Sequence, residues 1–329
     1  MNKVGLFFLL ALVFIGCKNE NCGDEQDISE INLSVKIESL ENELFQITDT
    51  SQLNLFLEKH PIISREFFSE LSYPSKEIML DEVYKRIKNP YTDTLYQQVK
   101  ATFGNGEVIQ EQFIDAFKRI KYYYPEFRTP KIQTVVTGFM NDIYLSDSLI
   151  IIGLDYYLGE NSKYKPDLFQ YILDRMTPDH LVPSIVMFMS NGYNLSNMGQ
   201  RTMIDEMVYW GKAYHFTKKM MPCIPDNLIA GYTAQELLDS EVSEEYIWSY
   251  FIQNEMLYDK NTMSITKFVN ERPSIPEIDP NCPGRIGRWL GWKIVQQYAD
   301  NNDNDLVALM NMANAKAILM QSKYKPQSR

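Results

Sequence analysis

The chain has 329 residues, of which 45% are hydrophobic and 13% aromatic, so it can build a large core in one big domain or two intimate ones. Its formal net charge of −11 argues against nucleic acid as a partner, because binding nucleic acid calls for a basic surface. The same charge argues against simple electrostatic adhesion to anionic lipid.

The N-terminus carries the features of a lipoprotein signal peptide. Lys3 precedes an apolar run over residues 4–15, which is too short to span a bilayer comfortably and suits a secretory signal. The small residue Gly16 then stands directly before Cys17, as in a lipobox. We predict a signal peptide over residues 1–16 and lipidation of Cys17; the alternative is an ordinary signal peptide followed by a chance cysteine.

Lipidation would hold the mature chain on a membrane without a transmembrane helix, and the sequence predicts no such helix after residue 16. Acyl chains such as palmitate stabilise attachment by about 0.8 kcal/mol per buried CH₂ group. Residues 17–30 are polar and acidic and are predicted to form a flexible tether, and residues 31–329 to form one globular domain. Without Lys3 the mature chain has 31 basic and 43 acidic residues and a net charge of −12.

The first part of this domain is predicted to be helical after a short extended entry over residues 33–47. Ser51 and Ser75 are good N-cap candidates, and Pro90 is expected to stop a helix. The predicted helices cover residues 51–60, 62–71, 75–88, 93–103 and 107–123.

β-branched residues become dense in the middle of the chain. Ile132 and Val135 indicate a strand within residues 131–138. Residues 142–145 form a second extended piece, and the continuous apolar run over residues 148–154 favours a buried strand. A small central sheet, antiparallel or mixed, is therefore predicted inside a helical chain.

Helices resume after the sheet and continue towards the C-terminus. They are predicted over residues 167–176, 179–190, 197–216, 233–240, 243–258, 287–300 and 306–321. The predicted fold class is α+β, mainly α-helical.

Three cysteines remain besides Cys17. Cys22 lies in the tether and is predicted to be unpaired. Cys223 and Cys282 are candidates for a disulfide bond, because an exported chain enters an oxidising compartment. Two unpaired thiols are the alternative.

The sequence contains no complete catalytic constellation. Its three histidines, His60, His180 and His215, are too far apart to form the H-E-x-x-H pattern of zinc peptidases. It has no phosphate-binding loop and no G-x-S-x-G elbow. Asp205 and Glu206 would point about 100° apart on a helix, so they do not form an acid–base pair facing one substrate. No cofactor is predicted.

Residues 284–288 combine two glycines with two arginines. We predict a turn into the following helix, in which Arg285 and Arg288 satisfy nearby carboxylates or carbonyls; the alternative is contact with a partner or ligand. Trp289 and Trp292 are three residues apart and are expected in the core, with a binding platform for a partner as the alternative.

Motifs in the last third of the chain follow a characteristic order. They are Gly231-Tyr232-Thr233, Glu245 with Trp248, Pro283-Gly284-Arg285-Ile286-Gly287, Trp289 with Gly291-Trp292-Lys293-Ile294-Val295, and Ser322-Lys323-Tyr324-Lys325-Pro326. Residues 139–158, with the run 152–159, and residues 207–209 and 211–212 agree in the middle of the chain. Together with the lipobox, this order resembles the gliding motility lipoprotein GldB family of the Bacteroidota.

The resemblance implies a role in the cell envelope, in gliding motility and in the linked type IX secretion machinery, and no settled biochemical activity. It implies attachment to a membrane through the N-terminal lipid, with the outer membrane favoured and the domain facing the periplasm or the cell surface. Other envelope proteins of the gliding or secretion machinery are the implied partners.

The GldB family in turn resembles, distantly, the zincin metallopeptidases, which place a small sheet over a helix carrying H-E-x-x-H. An alignment on the helix over residues 197–216 retains Glu206 and replaces both histidines, with Asp205 and Tyr209, while Glu245 stands for a third ligand. The loss of two imidazoles greatly weakens a zinc site. The resemblance thus implies a degenerate zincin-like fold, a pseudo-peptidase with its sheet packed on the long helix.

Three functional hypotheses follow. The favoured one is a non-catalytic envelope lipoprotein that supports gliding motility, type IX secretion or both. The alternatives are a divergent membrane-anchored metallopeptidase that uses Glu206 with unusual ligands, and a glycan-binding envelope lipoprotein. The glycan-binding hypothesis predicts exposed aromatic side chains in a groove and fails if Trp248, Trp289 and Trp292 are all buried.

Overall fold

The computed structural model describes residues 26–197, 199, 201–303 and 305–326. The predicted signal peptide, the lipidation site Cys17 and the cysteine at position 22 lie outside the described residues. Within the described part of the chain, no helix combines the length and the apolar character that a membrane crossing needs.

The four strands found in the described residues form one mixed sheet: β1 (Ile37–Ser39), β2 (Lys131–Val135), β3 (Ile143–Leu145) and β4 (Leu149–Gly153). Their spatial order is β1-β2-β4-β3. β2 pairs in parallel with both β1 and β4, whereas β3 and β4 are antiparallel. The small mixed sheet predicted from the β-branched residues is confirmed.

β4 is buried on both faces of the sheet. Ile150 and Ile152 belong to one hydrophobic cluster with residues of the flanking helices, and Ile151, which points to the opposite face, belongs to another. Because helices cover both faces, this strand is continuously apolar and shows no alternation with polar residues.

The helices that precede β2 are α1 (Leu40–Leu44), α2 (Thr50–Lys59), α3 (Lys76–Ile87), α4 (Pro90–Phe103) and α5 (Glu107–Tyr123). Asp49, and not Ser51, caps α2, because its carboxylate accepts the backbone N–H of Gln52 at 2.9 Å. α4 begins earlier than expected, because Asn89 caps it and Pro90 occupies its first position, where the helix needs no N–H. The predicted bounds of α5 are confirmed.

The helices that follow β4 are α6 (Gln170–Leu173), α7 (Pro178–Met189), α8 (Met203–Met220), α9 (Asp226–Ala230), α10 (Ala234–Val242), α11 (Glu244–Gln253), α12 (Thr262–Val269), α13 (Ile286–Asn301), α14 (Leu306–Asn311) and α15 (Ala315–Ser322). No sequence pattern predicted α9 and α12. The pattern over residues 306–321 predicted one helix where α14 and α15 lie. The Asn314 side chain starts a new helix there by accepting the N–H of Ala317 at 3.0 Å.

The long helix α8 begins at Met203, later than predicted, because Thr202 and Asp205 form a capping box. Most of α8 packs on α13. Its last two turns contribute Phe216 and Met220 to the hydrophobic cluster that contains Ile150 of the sheet. The sheet and the long helix therefore share a core, and the likeness to zincins stays a prediction.

The axes of α8 and α13 come together at Gly211 and Gly291. A methyl group built on Gly211 would collide with the backbone of Gly291, and one built on Gly291 would collide with the carbonyl of Met207. Any side chain at either position would force the two backbones apart. Both glycines are therefore required by the packing of these helices.

Candidate functional site

The residues aligned with the zincin motif lie in the first two turns of α8. The Asp205 carboxylate accepts the backbone N–H and the hydroxyl of Thr202, at 2.8 and 2.7 Å. Glu206 forms an ion pair with Arg201 at 2.9 Å. Both carboxylates thus make local contacts that hold the start of the helix.

Tyr209 and Glu245 complete the predicted ligand set. The Tyr209 hydroxyl donates to Oδ1 of Asn191 at 2.8 Å, and the Arg201 guanidinium lies 5.0 Å from the centre of the Tyr209 ring. Glu245 is exposed on α11. In the described ranges, no group of three or more His, Cys, Asp and Glu side chains is arranged to hold a metal ion. The descent of these positions from a zinc site stays a prediction.

A second group of charged side chains lies around the start of α13, and we name it the arginine cluster: Arg175, Arg285, Arg288 and Glu271. Arg285 is only 7% exposed. Its two terminal nitrogens donate to the backbone carbonyls of Ala230 and Gly231, at 2.9 and 2.6 Å. The Arg285 charge is therefore solvated mainly by backbone oxygens.

Glu271 supplies the carboxylate of the arginine cluster. Arg175 donates to both of its oxygens, at 2.6 and 3.4 Å, and Arg285 and Arg288 lie 3.4 and 3.6 Å away. Burial alone would raise the pKa of Glu271, but the guanidinium groups, that of Arg285 most, outweigh burial and lower it. Arg288 also donates to the Val269 carbonyl at 2.6 Å. The prediction that Arg285 and Arg288 satisfy carboxylates and carbonyls is confirmed.

Left-handed backbone brings two distant motifs together at this cluster. Arg285 has φ 60° and Gly231 has φ 64°. A Cβ atom on Gly231 would lie 2.6 Å from the Arg175 side chain, so only glycine leaves room for the guanidinium groups here. The Tyr232 hydroxyl donates to the Gly284 carbonyl at 2.9 Å. The Gly-Tyr-Thr motif and the Pro-Gly-Arg motif are thus parts of one contact.

A cavity of about 210 Å³ opens beside the arginine cluster, and its walls include Arg175, Arg272, Arg285 and His180. Nδ1 of His180 lies 2.8 Å from the Thr177 hydroxyl, and its buried Nε2 has no hydrogen-bond partner among the described residues. Burial, and then the charge of Arg175, lower the pKa of His180 to about 4. This imidazole is therefore neutral at pH 7.

A neighbouring cavity of about 230 Å³ shares Asp174 and Thr233 with the first, and Asp155 forms part of its wall. Oδ2 of Asp155 accepts the N–H of Phe139 at 2.8 Å, whereas its buried Oδ1 has no partner in the part of the chain that is described. Burial raises the pKa of Asp155 to about 6. The two motifs that contain Asp155 and Thr233 thus line adjoining cavities.

Trp289 and Trp292 are core residues, each 1% exposed. Trp292 packs edge-on against Tyr214 of α8, with 5.6 Å between the ring centres. Trp248 is partly buried against the same hydrophobic cluster. The expectation of core packing is confirmed for both tryptophans, and the alternative of contact with a partner stays a prediction.

The predicted disulfide bond between Cys223 and Cys282 is also wrong. Cys282 is a free thiol inside the cluster around α13, and burial raises its pKa to about 12. Cys223 is exposed in the turn after α8 and is disulfide-bonded. The two sulfur atoms occupy different environments, one in the core and one at the surface.

Aromatic side chains meet solvent in a groove of about 1070 Å³ between the β3–β4 turn and the end of α7. Its walls include Phe127, Phe188, Tyr124 and Tyr193. The rings of Tyr124 and Tyr193 lie 4.1 Å apart, and Phe188 is 41% exposed. No sequence pattern predicted this groove.

The comparisons with known proteins identify the family. A family model described as gliding motility protein GldB matches residues 21–326. The chain belongs to the GldB family. This confirms the resemblance and makes the chain a gliding motility lipoprotein of the cell envelope. No curated protein and no solved structure matches the chain.

The sequence suggested no site role for Asp155, Arg175 and His180, which line the two cavities, or for Glu271 of the arginine cluster. The structure brings Arg175 and Glu271 to Arg285, although these three residues lie in separate segments of the chain. The sequence contains one indication of this site: the motifs around Gly231 and Gly284 are both among those that resemble the GldB family. No single motif showed that the two would touch.

Proposed function

We propose that this chain is a lipid-anchored, non-catalytic protein that supports gliding motility, type IX secretion or both through contact with other envelope proteins. The observation that carries the proposal is the match to the GldB family over residues 21–326. Lipid on Cys17 would hold the chain on the outer membrane, with the domain facing the periplasm or the cell surface.

The contacts of the zincin-aligned positions favour a role without catalysis. Asp205 caps α8, and Glu206 is paired with Arg201. A zinc peptidase would need these carboxylates to face a metal ion and its bound water. Their present partners give both carboxylates a structural task instead.

A clean deletion of the gene, followed by complementation, tests the proposal. Deletion should reduce surface spreading, type IX secretion or both, and the full-length chain should restore them. Glu206→Gln keeps a hydrogen bond to Arg201 and removes a general base, so this variant should complement as well as the wild type. Cys17→Ser should fail to complement.

Normal spreading and secretion in the deletion strain would contradict the proposal. A Glu206→Gln variant that accumulates normally but fails to complement would contradict the non-catalytic part of it. Immunoblots of the membrane fraction provide the measure of protein amount.

Two alternatives have direct measurements. A divergent metallopeptidase predicts about one zinc ion per purified chain and a lower melting temperature after chelation. Glycan binding is favoured by the aromatic groove and predicts that Phe188→Ala weakens the retention of envelope polysaccharide on the purified chain. A purified chain without bound zinc would exclude the metallopeptidase. Equal retention of polysaccharide by the wild type and by Phe188→Ala would exclude glycan binding.

A further inference from the structure

We propose that the cavity of about 210 Å³ beside the arginine cluster binds the carboxylate group of a ligand. The carboxylate belongs either to a small organic acid or to a larger molecule with an apolar group, such as the C-terminus of a peptide. This site is independent of the lipid anchor and of the role in gliding, because only residues of the folded domain form it.

The arginine cluster carries more positive charge than its own carboxylate compensates. The guanidinium groups of Arg175, Arg285 and Arg288 all lie within 3.6 Å of Glu271. Three positive charges and one negative charge leave a net charge of +2. The side chains of Arg285 and Arg288 are only 8% exposed, so water stabilises this excess charge poorly. A bound anion would compensate part of it.

Two of these arginines lie at the wall of the cavity. Gly231 belongs to the same wall, and a Cβ atom built on it would lie 2.6 Å from Cδ of Arg175 and 3.0 Å from a terminal nitrogen of Arg285. A guanidinium group has five N–H donors. Among the described residues, acceptors take three donors of Arg175 and two of Arg285. Both side chains therefore keep N–H groups for a ligand oxygen.

Arg272 is a third arginine of the cavity wall, and it is partly exposed. Its guanidinium donates to the Lys267 carbonyl at 3.1 Å, and it forms no ion pair with a carboxylate in the described part of the chain. The pKa of Glu277 is lowered mainly by Lys267, which pairs with it at 2.7 Å, and least by Arg272. Arg272 therefore adds a positive charge that no ion pair neutralises.

The carboxylates of the cavity wall, Asp174 and Glu236, favour a ligand with a single negative charge. Asp174 accepts the Gln170 amide at 2.7 Å, and Glu236 accepts the Thr233 N–H at 2.8 Å. Neither pairs with an arginine within the described ranges. Their charges repel a phosphate dianion more than a monoanion. A carboxylate also matches the planar fork of a guanidinium group.

An aromatic pair stands beside this cavity. Tyr171 belongs to its wall, and Phe169, which is 71% exposed, stacks on Tyr171 with 5.7 Å between the ring centres and 10° between the planes. An apolar group attached to the carboxylate can pack against these rings. The rings therefore favour a ligand that is larger than the carboxylate alone.

Three probes test the site on the full-length chain, purified in an uncharged detergent at pH 7: acetate, N-acetyl-L-phenylalanine and the uncharged amide of N-acetyl-L-phenylalanine. The chain has three histidines, so their ¹³C-labelled imidazole signals are few, and His180→Gln identifies the signal of His180 in the cavity wall. Both carboxylates should shift this signal to saturation, and the amide should not. The signal of His60, which packs on Phe56 of α2, should stay unchanged.

Variants locate the carboxylate in the cavity. Arg175→Gln and Arg272→Gln should each weaken the binding of N-acetyl-L-phenylalanine at least about ten-fold, because each removes a charged donor. Arg65→Gln, the matched control, removes an exposed partner of Glu66 and should leave the affinity unchanged. Melting temperatures close to that of the wild type establish that the variants are folded. Weaker binding in either cavity variant supports the proposal.

The relative affinity of the two carboxylates distinguishes the two sources. N-acetyl-L-phenylalanine should bind at least about ten-fold more tightly than acetate, whereas equal affinities would assign the site to a small organic acid. Four results would overturn the proposal: no saturable shift of the His180 signal with either carboxylate, an equal shift with the amide, tighter binding of inorganic phosphate, or an affinity that neither Arg175→Gln nor Arg272→Gln changes.

Discussion

Gly211 of α8 and Gly291 of α13 lie against each other, backbone to backbone. Both helices place large side chains beside this contact, and Tyr214 and Trp292 meet there. The separation of the two backbones therefore determines how these rings pack. Neither glycine is explained by a turn or by a positive φ, so the close approach is the reason for both.

Replacement of Gly211 by alanine should lower the free energy of unfolding by about 2 kcal/mol, because the added methyl group must displace the Gly291 backbone. Urea titration of the purified domain measures this change. Gly192→Ala is the matched control, because a Cβ atom there would meet nothing within 4 Å. Equal losses of unfolding free energy in Gly211→Ala and Gly192→Ala would contradict the role of the close contact between α8 and α13.

Lys212, next to Gly211, should make stability depend on pH in the alkaline range. Its ammonium is buried and donates to the carbonyls of Leu195, Met310 and Met312, at 2.7, 3.2 and 3.1 Å. Burial lowers the pKa of Lys212 to about 8. The unfolded chain, with a lysine pKa of about 10.4, then binds more protons above pH 8 than the folded chain does.

The wild type should therefore gain stability relative to Lys212→Met as the pH rises from 8 towards 10, by at most about 1.4 kcal/mol per pH unit. Urea titrations of both chains at pH 7.5, 8.5 and 9.5 measure the difference, in which the titration of other groups cancels. A difference that stays constant over this range would show that the lysine keeps its ordinary pKa.

His180 should make stability depend on pH in the acidic range. Its folded-state pKa of about 4 lies below the usual value, so the folded chain resists a proton that the unfolded chain accepts below about pH 6.5. The wild type should lose stability relative to His180→Gln as the pH falls from 6.5 to 4. Thermal melts of both chains across this pH range test the prediction. An equal fall in melting temperature in the wild type and in His180→Gln would contradict it.

Glu271→Gln should destabilise the domain, because it leaves the three guanidinium groups of the arginine cluster without a carboxylate. We expect a loss of about 2 kcal/mol, less than for a fully buried pair because Glu271 is partly exposed. Glu58→Gln, which breaks an exposed pair with Lys76, should cost less than about 0.5 kcal/mol.

The double variant Arg175→Gln/Glu271→Gln should be more stable than the sum of the two single changes predicts, since it removes one of the uncompensated cations. Melting temperatures of the four chains complete the cycle. Strict additivity would mean that Arg175 and Glu271 do not interact in solution.

Local patterns predicted much of the fold. The 3.6-residue spacing of Ile109, Phe113 and Phe117 gave the bounds of α5, and β-branched residues located β2 and β4. The parallel pairing of β1 with β2 had no signal in the sequence, because about ninety residues separate the two strands. Helix starts were misplaced where a neighbouring residue made the better cap, as at Asp49.

The sequence did not predict the long-range polar contacts. Arg285 was expected to find a carboxylate, but nothing in the spacing of residues identified Glu271 as that carboxylate or Arg175 as its neighbour. Counting cysteines predicted the wrong disulfide bond for the same reason. The number of thiols limits the possible pairs, but only the fold decides which sulfur atoms can meet.

The position of β1 at the edge of the sheet bears on how the domain would respond to mechanical load. β1 has three residues and is the first strand after the N-terminal segment. A pulling force that travelled from a lipid anchor along this segment would act on β1 first, and so short a strand would resist little. β1 pairs only with β2, so its detachment would leave β2, β4 and β3 paired with one another.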